Sequence, residues 1–200
     1  MSLDNDPWIE LHSPISAEKL HALGNITFCW NGCEYWTGAI FSIVADLDQS
    51  IGRVITHDLG DVSIWQKIKL ISLDKKMKPE IINLLDHAAK IYDRCRTNRN
   101  TYVHASGGLI GRGGLSLMRR KGPTQFGDYI PDGLEDLRRV SEELIVLNRF
   151  LQEVAMYIMD VREGIRVLPP PSMPDLPKEV WVSPKKSVSK RAVRTGESRS

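Results

Sequence analysis

The chain has 200 residues, 42% of them hydrophobic, and a formal net charge of +2. That length suits one domain with a sizeable core and an appendage, and is too short for two large catalytic domains. No apolar run approaches the roughly 18–20 residues that cross a bilayer, the acidic start MSLDNDPWIE lacks the basic and apolar regions of a signal peptide, and three cysteines make no disulfide framework. These features point to a cytoplasmic protein with no membrane partner.

Ser13-Pro14 predicts the start of a first helix, since proline suits the first helical position, and Gly24 predicts its end. A second helix is predicted from about Ile26 to Leu47, where Cys29, Cys33, Trp36, Ile40, Ile43 and Leu47 follow the 3.6-residue period. Asp61 or Ser63 opens a third, with Ile64, Ile68 and Ile71 along one side. Pro79 opens a fourth, which extends to about His104. Residues 105–130 break the pattern, with five glycines by position 114, and a short β-hairpin with Gly-rich turns fits them. Asp132 with Glu135 forms an acidic capping box for a fifth helix. Its Leu137, Val140, Leu144, Leu147, Leu151, Val154, Ile158 and Val161 alternate spacings of three and four, a seam that packs along another helix of the chain or of a second copy. The expected fold is therefore all-α, a bundle of about five helices with a small β-hairpin excursion, occupying residues 1–168.

Residues 169–200 differ in composition. They hold six of the eleven prolines, with seven basic and three acidic residues, a net of +4; the remaining residues carry a net of −2. Such a Pro-rich, then basic segment cannot bury enough apolar area to offset its ordering entropy, and it reads as an extended, mostly disordered tail. It serves either as a solubilising tail or as an arm for RNA or a partner.

Several candidate sites weaken on inspection. In GGLIGRGG, Gly108 and Gly113 have the glycine spacing of a phosphate loop, but Gly114 and Leu115 stand where lysine and Ser/Thr are needed. Cys29, Cys33 and Cys95 sit on apolar stripes, where cysteine behaves as a small hydrophobe, and no histidine lies at a convincing ligand spacing; no metal or cofactor is expected. Nothing recommends His12, His21, His57 or His87.

The segment RCRTNRNTYVHA, residues 94–105, is more informative. On a helical wheel Arg99 falls within the apolar arc formed by Ile81, Leu84, Leu85, Ala88, Ile91, Tyr92, Cys95, Tyr102 and Val103. A guanidinium there needs a carboxylate, a phosphate or a wet cleft, because its charge does not titrate away. Arg96, Arg99, Asn100, Val103 and His104 share an arc of roughly 140°. Arg99 and His104, five residues apart, themselves diverge by about 140° on a straight helix. A helix end near His104, or a second copy of the helix across a two-fold axis, would converge them. Histidine passes protons near neutrality, arginine binds phosphate and stabilises charge growing on it, and asparagine can orient the ring or bind a phosphate oxygen. Together they suit cleavage of RNA by its own 2′-hydroxyl. The other reading is structural, with Arg99 paired to an acid such as Glu34 and His104 capping a helix C-terminus.

Arg99-Asn100-Thr101-Tyr102-Val103-His104 resembles the signature of the HEPN superfamily (higher eukaryotes and prokaryotes nucleotide-binding): arginine, a polar residue, three variable residues and histidine near the end of a core helix. The resemblance spans roughly residues 15–165 and is nearest to small stand-alone bacterial HEPN-like proteins. It implies a helical bundle that forms a homodimer through the motif helix, and a metal-independent endoribonuclease, as in toxin–antitoxin, phage-defence or RNA-processing systems. By that resemblance His104 is the catalytic histidine, Arg99 the phosphate-stabilising arginine and Asn100 the polar helper. Arg96 and Arg94 would assist substrate binding, and Glu34 is the candidate for an early-helix acid that contacts the arginine. The expected partners are RNA and, for a toxin, an antitoxin protein. The alternative is a non-catalytic HEPN-fold module that binds protein or nucleic acid.

Overall fold

The computed structural model describes residues 15–110, 114–119, 128–129, 133–165 and 169–180, with backbone alone at 106–110, 114–119 and 128–129. These are mostly helical. Among the described residues there are five helices: α1 (Ala17–Ala45), α2 (Gln49–Thr56), α3 (Asp61–Asp74), α4 (Pro79–Val103) and α5 (Leu134–Glu163). Among the described residues no helix is long and apolar enough to cross a membrane.

The two longest helices, α1 and α5, lie side by side and run in the same direction. Asn25 donates to the Ser141 hydroxyl, the Cys33 thiol to the Leu144 carbonyl at 3.7 Å, and Arg162 reaches Asp46 at 2.8 Å. At Gly32 the helices come close enough for the Asn148 side-chain amide to occupy the space a Cβ would take. The seam expected on α5 is buried from Leu137 to Ile158, with Val161 packed at its edge, and its partner is α1 within the same chain. Helix α4 runs the opposite way against α5. Tyr157 near the end of α5 donates to Glu80 at the start of α4 at 3.1 Å, while Asn98 near the end of α4 donates to Glu143 at 3.2 Å. Helix α3 closes the layer, with Lys69 paired to Asp86 of α4 at 2.9 Å.

The first two expected helices are one. Helix α1 passes through Gly24 without a break; glycine costs a helix interior about 1 kcal/mol, and burial of Ala22, Ile26, Cys29 and Trp30 on the same helix offsets it. The expected start at Ser13-Pro14 lies outside the described residues. Helix α1 stops at Asp46, which takes a left-handed conformation (φ 63°) and is held by Arg162, whose guanidinium also donates to the Ile43 carbonyl at 3.4 Å. Helix α2 has no counterpart in the sequence reading. It is eight residues long, too short to display a period, and rests on an Asp48 N-cap that accepts from the Ser50 N–H at 2.8 Å. The N-cap of α5 is Gly133 and not Asp132, and Glu135 accepts from Arg138 at 3.2 Å instead of closing a capping box.

The three cysteines are buried free thiols. Burial pushes Cys95 up to about 12 and raises Cys33 further, so both stay neutral.

The tail also departs from expectation over its first part. Residues 169–180 are extended, as expected, but they are docked as a strap running along α4 in its own direction. His87 Nε2 donates to the Pro174 carbonyl at 2.8 Å, Arg94 donates to the Pro177 carbonyl at 3.4 Å and pairs with Glu179 at 3.2 Å, and Asn98 donates to the Lys178 carbonyl at 2.8 Å. The Val180 N–H returns a bond to Asn98 Oδ1 at 3.1 Å. The prolines explain why ordering is affordable: their fixed φ makes the free segment extended already, and each offers a carbonyl acceptor. Residues 181–200 lie outside the described residues.

Candidate functional site

Helix α4 starts where the sequence predicts, with Pro79 at its first position. It ends at Val103, and this end shapes the site. His104 is the C-cap with φ −100° and ψ 10°, its N–H bonded to the Asn100 carbonyl at 3.3 Å. Leaving the helical path there brings its imidazole back toward Arg99, which a straight helix would not do.

Arg99, Asn100 and His104 are together. Arg99 Nη1 donates to Asn100 Oδ1 at 2.9 Å and lies 3.5 Å from His104 Nε2, the outer limit of a hydrogen bond. For an N–H to donate to that ring nitrogen, the imidazole must be neutral with its proton on Nδ1. The Arg99 guanidinium carbon sits 5.5 Å from the Trp30 ring centroid, within cation–π range. Arg99 Nε is buried with no hydrogen-bond partner among the described residues. No carboxylate among the described residues lies within ion-pair distance of Arg99, although Arg94 and Arg96 on the same helix each have one. The cation is thus half-buried and positioned, with no neutralising carboxylate among the described residues. His104 itself is exposed, at the edge where a ligand would arrive.

The other expected site residues are placed differently. Glu34 does not pair with Arg99: it accepts from Trp30 Nε1 at 2.6 Å, one helical turn away on α1. It therefore reaches the arginine only through the ring on which the arginine rests. Arg94 projects from a different side of α4 than Arg99 and anchors the strap through Pro177 and Glu179. Arg96 stays on the motif side, paired with Asp93 at 2.6 Å.

Three residues that sequence reasoning passed over matter here. Trp30 is the platform under Arg99; its place on α1's buried stripe was readable, its neighbour across the bundle was not. Asn98 is 1% exposed and holds the strap. Seven residues after Ile91, it falls on the same face of α4, so an asparagine inside the apolar stripe was a visible signal of a polar partner elsewhere. His87 is a strap anchor, edge-on to Phe150 with ring centroids 5.9 Å apart.

Among the described residues, no group of three His, Cys, Asp or Glu side chains is placed to hold a metal ion. No family model, curated protein or solved structure matches the chain.

Proposed function

We propose that the chain is a metal-independent endoribonuclease of HEPN type, acting as a homodimer whose α4 helices face each other across the cleft. The observation that carries this reading is the Arg99 guanidinium, without a carboxylate partner among the described residues, held on Trp30 and turned onto Asn100 beside His104. Such a cation suits a phosphodiester, whose charge it would meet with a forked pair of donors. Pairing of Ser106–Ile110 with Gly114–Arg119 supports the β excursion that the same reading places after the motif helix.

In the proposed reaction the 2′-oxygen attacks the adjacent phosphorus and the bond from phosphorus to the 5′-oxygen breaks. The products are a 2′,3′-cyclic phosphate and a 5′-hydroxyl. One proton leaves the 2′-hydroxyl and one enters the departing oxygen. One copy's His104 imidazole, in its neutral form, can take the first, and the second copy's His104, in its protonated form and released from Arg99, can supply the other. Arg99 stabilises the charge that grows on the phosphoryl oxygens, and Asn100 holds the guanidinium in place through its Oδ1. A toxin acting this way would have an antitoxin protein as its partner.

The test is incubation of the purified chain with a panel of unrelated RNAs in EDTA, with the product ends determined. Cleavage leaving cyclic phosphate, lost in His104→Ala, is the expected result. Cleavage that persists in His104→Ala, or an uncut panel, overturns the reading, and RNA binding without cleavage would identify a binding module instead.

A further inference from the structure

The strap fixes where the rest of the tail begins. Every third residue of it, Pro171, Pro174, Pro177 and Val180, turns in toward the helices, the three-residue period of a polyproline II helix, while Met173 and Leu176 between them are exposed. Its hold on α4 comes from His87, Arg94 and Asn98, which lie on one face of that helix. The last contact is level with the motif: the Val180 N–H reaches Asn98 Oδ1 at 3.1 Å, one residue before Arg99. On the wheel Asn98 and Arg99 are roughly 100° apart, with about 1.5 Å of rise between them. The strap therefore ends on the flank of α4 beside the guanidinium, and not over it.

The charges divide at the same point. Residues 181–200 hold six basic residues and one acidic, a net of +5, whereas residues 1–180 carry a net of −3. An acidic body repels a polyanion as a whole, so its one favourable contact needs support. Arg94 and Arg96 are already paired, with Glu179 and Asp93, and Arg99 alone of the three lacks a carboxylate among the described residues. One guanidinium meets one phosphate, and the phosphates beside it call for other cations. Twenty residues can span up to roughly 70 Å, several times the width of a helix.

We propose that the strap anchors residues 181–200 as a basic arm at the flank of the motif, and that the arm holds phosphates of the same RNA strand that Arg99 grips. The inference rests on the ribonuclease reading for the phosphate at Arg99. Lys185, Lys186, Lys190, Arg191 and Arg194 carry the charge, and the serines among them add hydroxyl donors, so the arm meets backbone and not base edges. Anchoring matters because it makes the second contact intramolecular once the first has formed.

The experiment measures the anisotropy of fluorescein-labelled RNA on the full chain carrying His104→Ala, so that bound RNA stays whole, across a series of salt concentrations. The probes are a trinucleotide and a strand of about 20 nucleotides, below and above the roughly 4–16 that single-strand sites hold. Replacing Lys185, Lys186, Lys190, Arg191 and Arg194 together with glutamine should weaken the longer RNA at least about tenfold at about 0.1 M salt. The slope of log Kd against log salt should become shallower by at least about 2, since each phosphate contact on a single strand contributes roughly 0.7. The advantage of the longer RNA over the trinucleotide should shrink by the same factor. Arg99→Ala should weaken the longer RNA as well, because both hold one strand. Asn98→Leu frees the strap and keeps every basic residue, so it should weaken the longer RNA by about threefold or more with the salt slope retained. Unchanged affinity and slope in the glutamine variant, or binding of the longer RNA that is indifferent to Arg99→Ala or to Asn98→Leu, overturn the inference. An RNA panel left uncut by the parent chain, with binding that depends on both arm and Arg99, sinks the nuclease reading and leaves the arm standing. A panel that is cut, with the glutamine variant binding like its parent, sinks the arm alone.

Discussion

Asn98 faces the strap and uses its whole amide: Nδ2 serves the Lys178 carbonyl and Glu143, and Oδ1 takes the Val180 N–H. Arg99, the next residue, faces the other way and is incompletely used, with a buried Nε lacking a partner among the described residues and no acid within reach there. The same contrast separates Arg94, neutralised by Glu179, from Arg99. One helix thus carries two kinds of buried polarity. Satisfied groups fix the architecture, while a positioned and unsatisfied cation is a resource for a ligand.

The largest effect should come from Arg99→Ala. Loss of one charge-stabilising donor should lower the RNA cleavage rate by about 10²–10³-fold, measured as initial rates, while the melting temperature stays near that of the parent. If Arg99→Ala unfolds the chain, the contrast fails and Arg99 is structural. Asn98→Leu should do the reverse. It leaves the Lys178 carbonyl and the Val180 N–H without their partner, costing about 2–3 kcal/mol in urea unfolding, with the strap open to proteolysis and cleavage largely retained.

Next in size is alkaline unfolding. Cys95, on the buried side of α4 with Asn98, is pushed up to about 12 from an ordinary 9.0, and burial raises Cys33 and Tyr92 as well. Groups raised in this way stabilise the fold fully below their unfolded values and lose that contribution as pH climbs toward the folded ones. Stability should hold through pH 8 and then fall by about 1 kcal/mol per pH unit for each thiol, followed by chemical denaturation at stepped pH. The smallest effect should be that of Arg94→Ala, at or below about 1 kcal/mol for a partly exposed pair, with cleavage unchanged. A large loss of cleavage would return Arg94 to the site.

How far the sequence reaches depends on whether a signal is confined to one helix. Pro79, the apolar arc of α4 and the convergence of Arg99 and His104 at a helix end were all readable, because each follows from helical geometry alone. The α5 seam was readable for the same reason. Gly24 misled because propensity is weak against tertiary burial. Helix α2 escaped because eight residues with a buried glycine at position 52 show no period. Glu34 and Arg94 were assigned by azimuth and helix membership, and neither tells which neighbouring element a long side chain will meet. The strap was hidden because its stabilising partners, Asn98 and Arg94, lie about 80 residues upstream.

The side-by-side, same-direction arrangement of α1 and α5 also bears on how the chain reaches its fold. Asn25 waits for Ser141, and Asp46 for Arg162, each 116 residues later. Parallel neighbours cannot be joined by a tight turn, so the principal interface forms only after everything between has been synthesised. Mean sequence separation of contacts sets folding speed, and this interface should make the bundle fold more slowly than one built from successive helical hairpins. Until α5 leaves the ribosome, the apolar stripe of α1 around Ile26, Cys33 and Ile40 is uncovered, and that interval is when the chain is most exposed to aggregation.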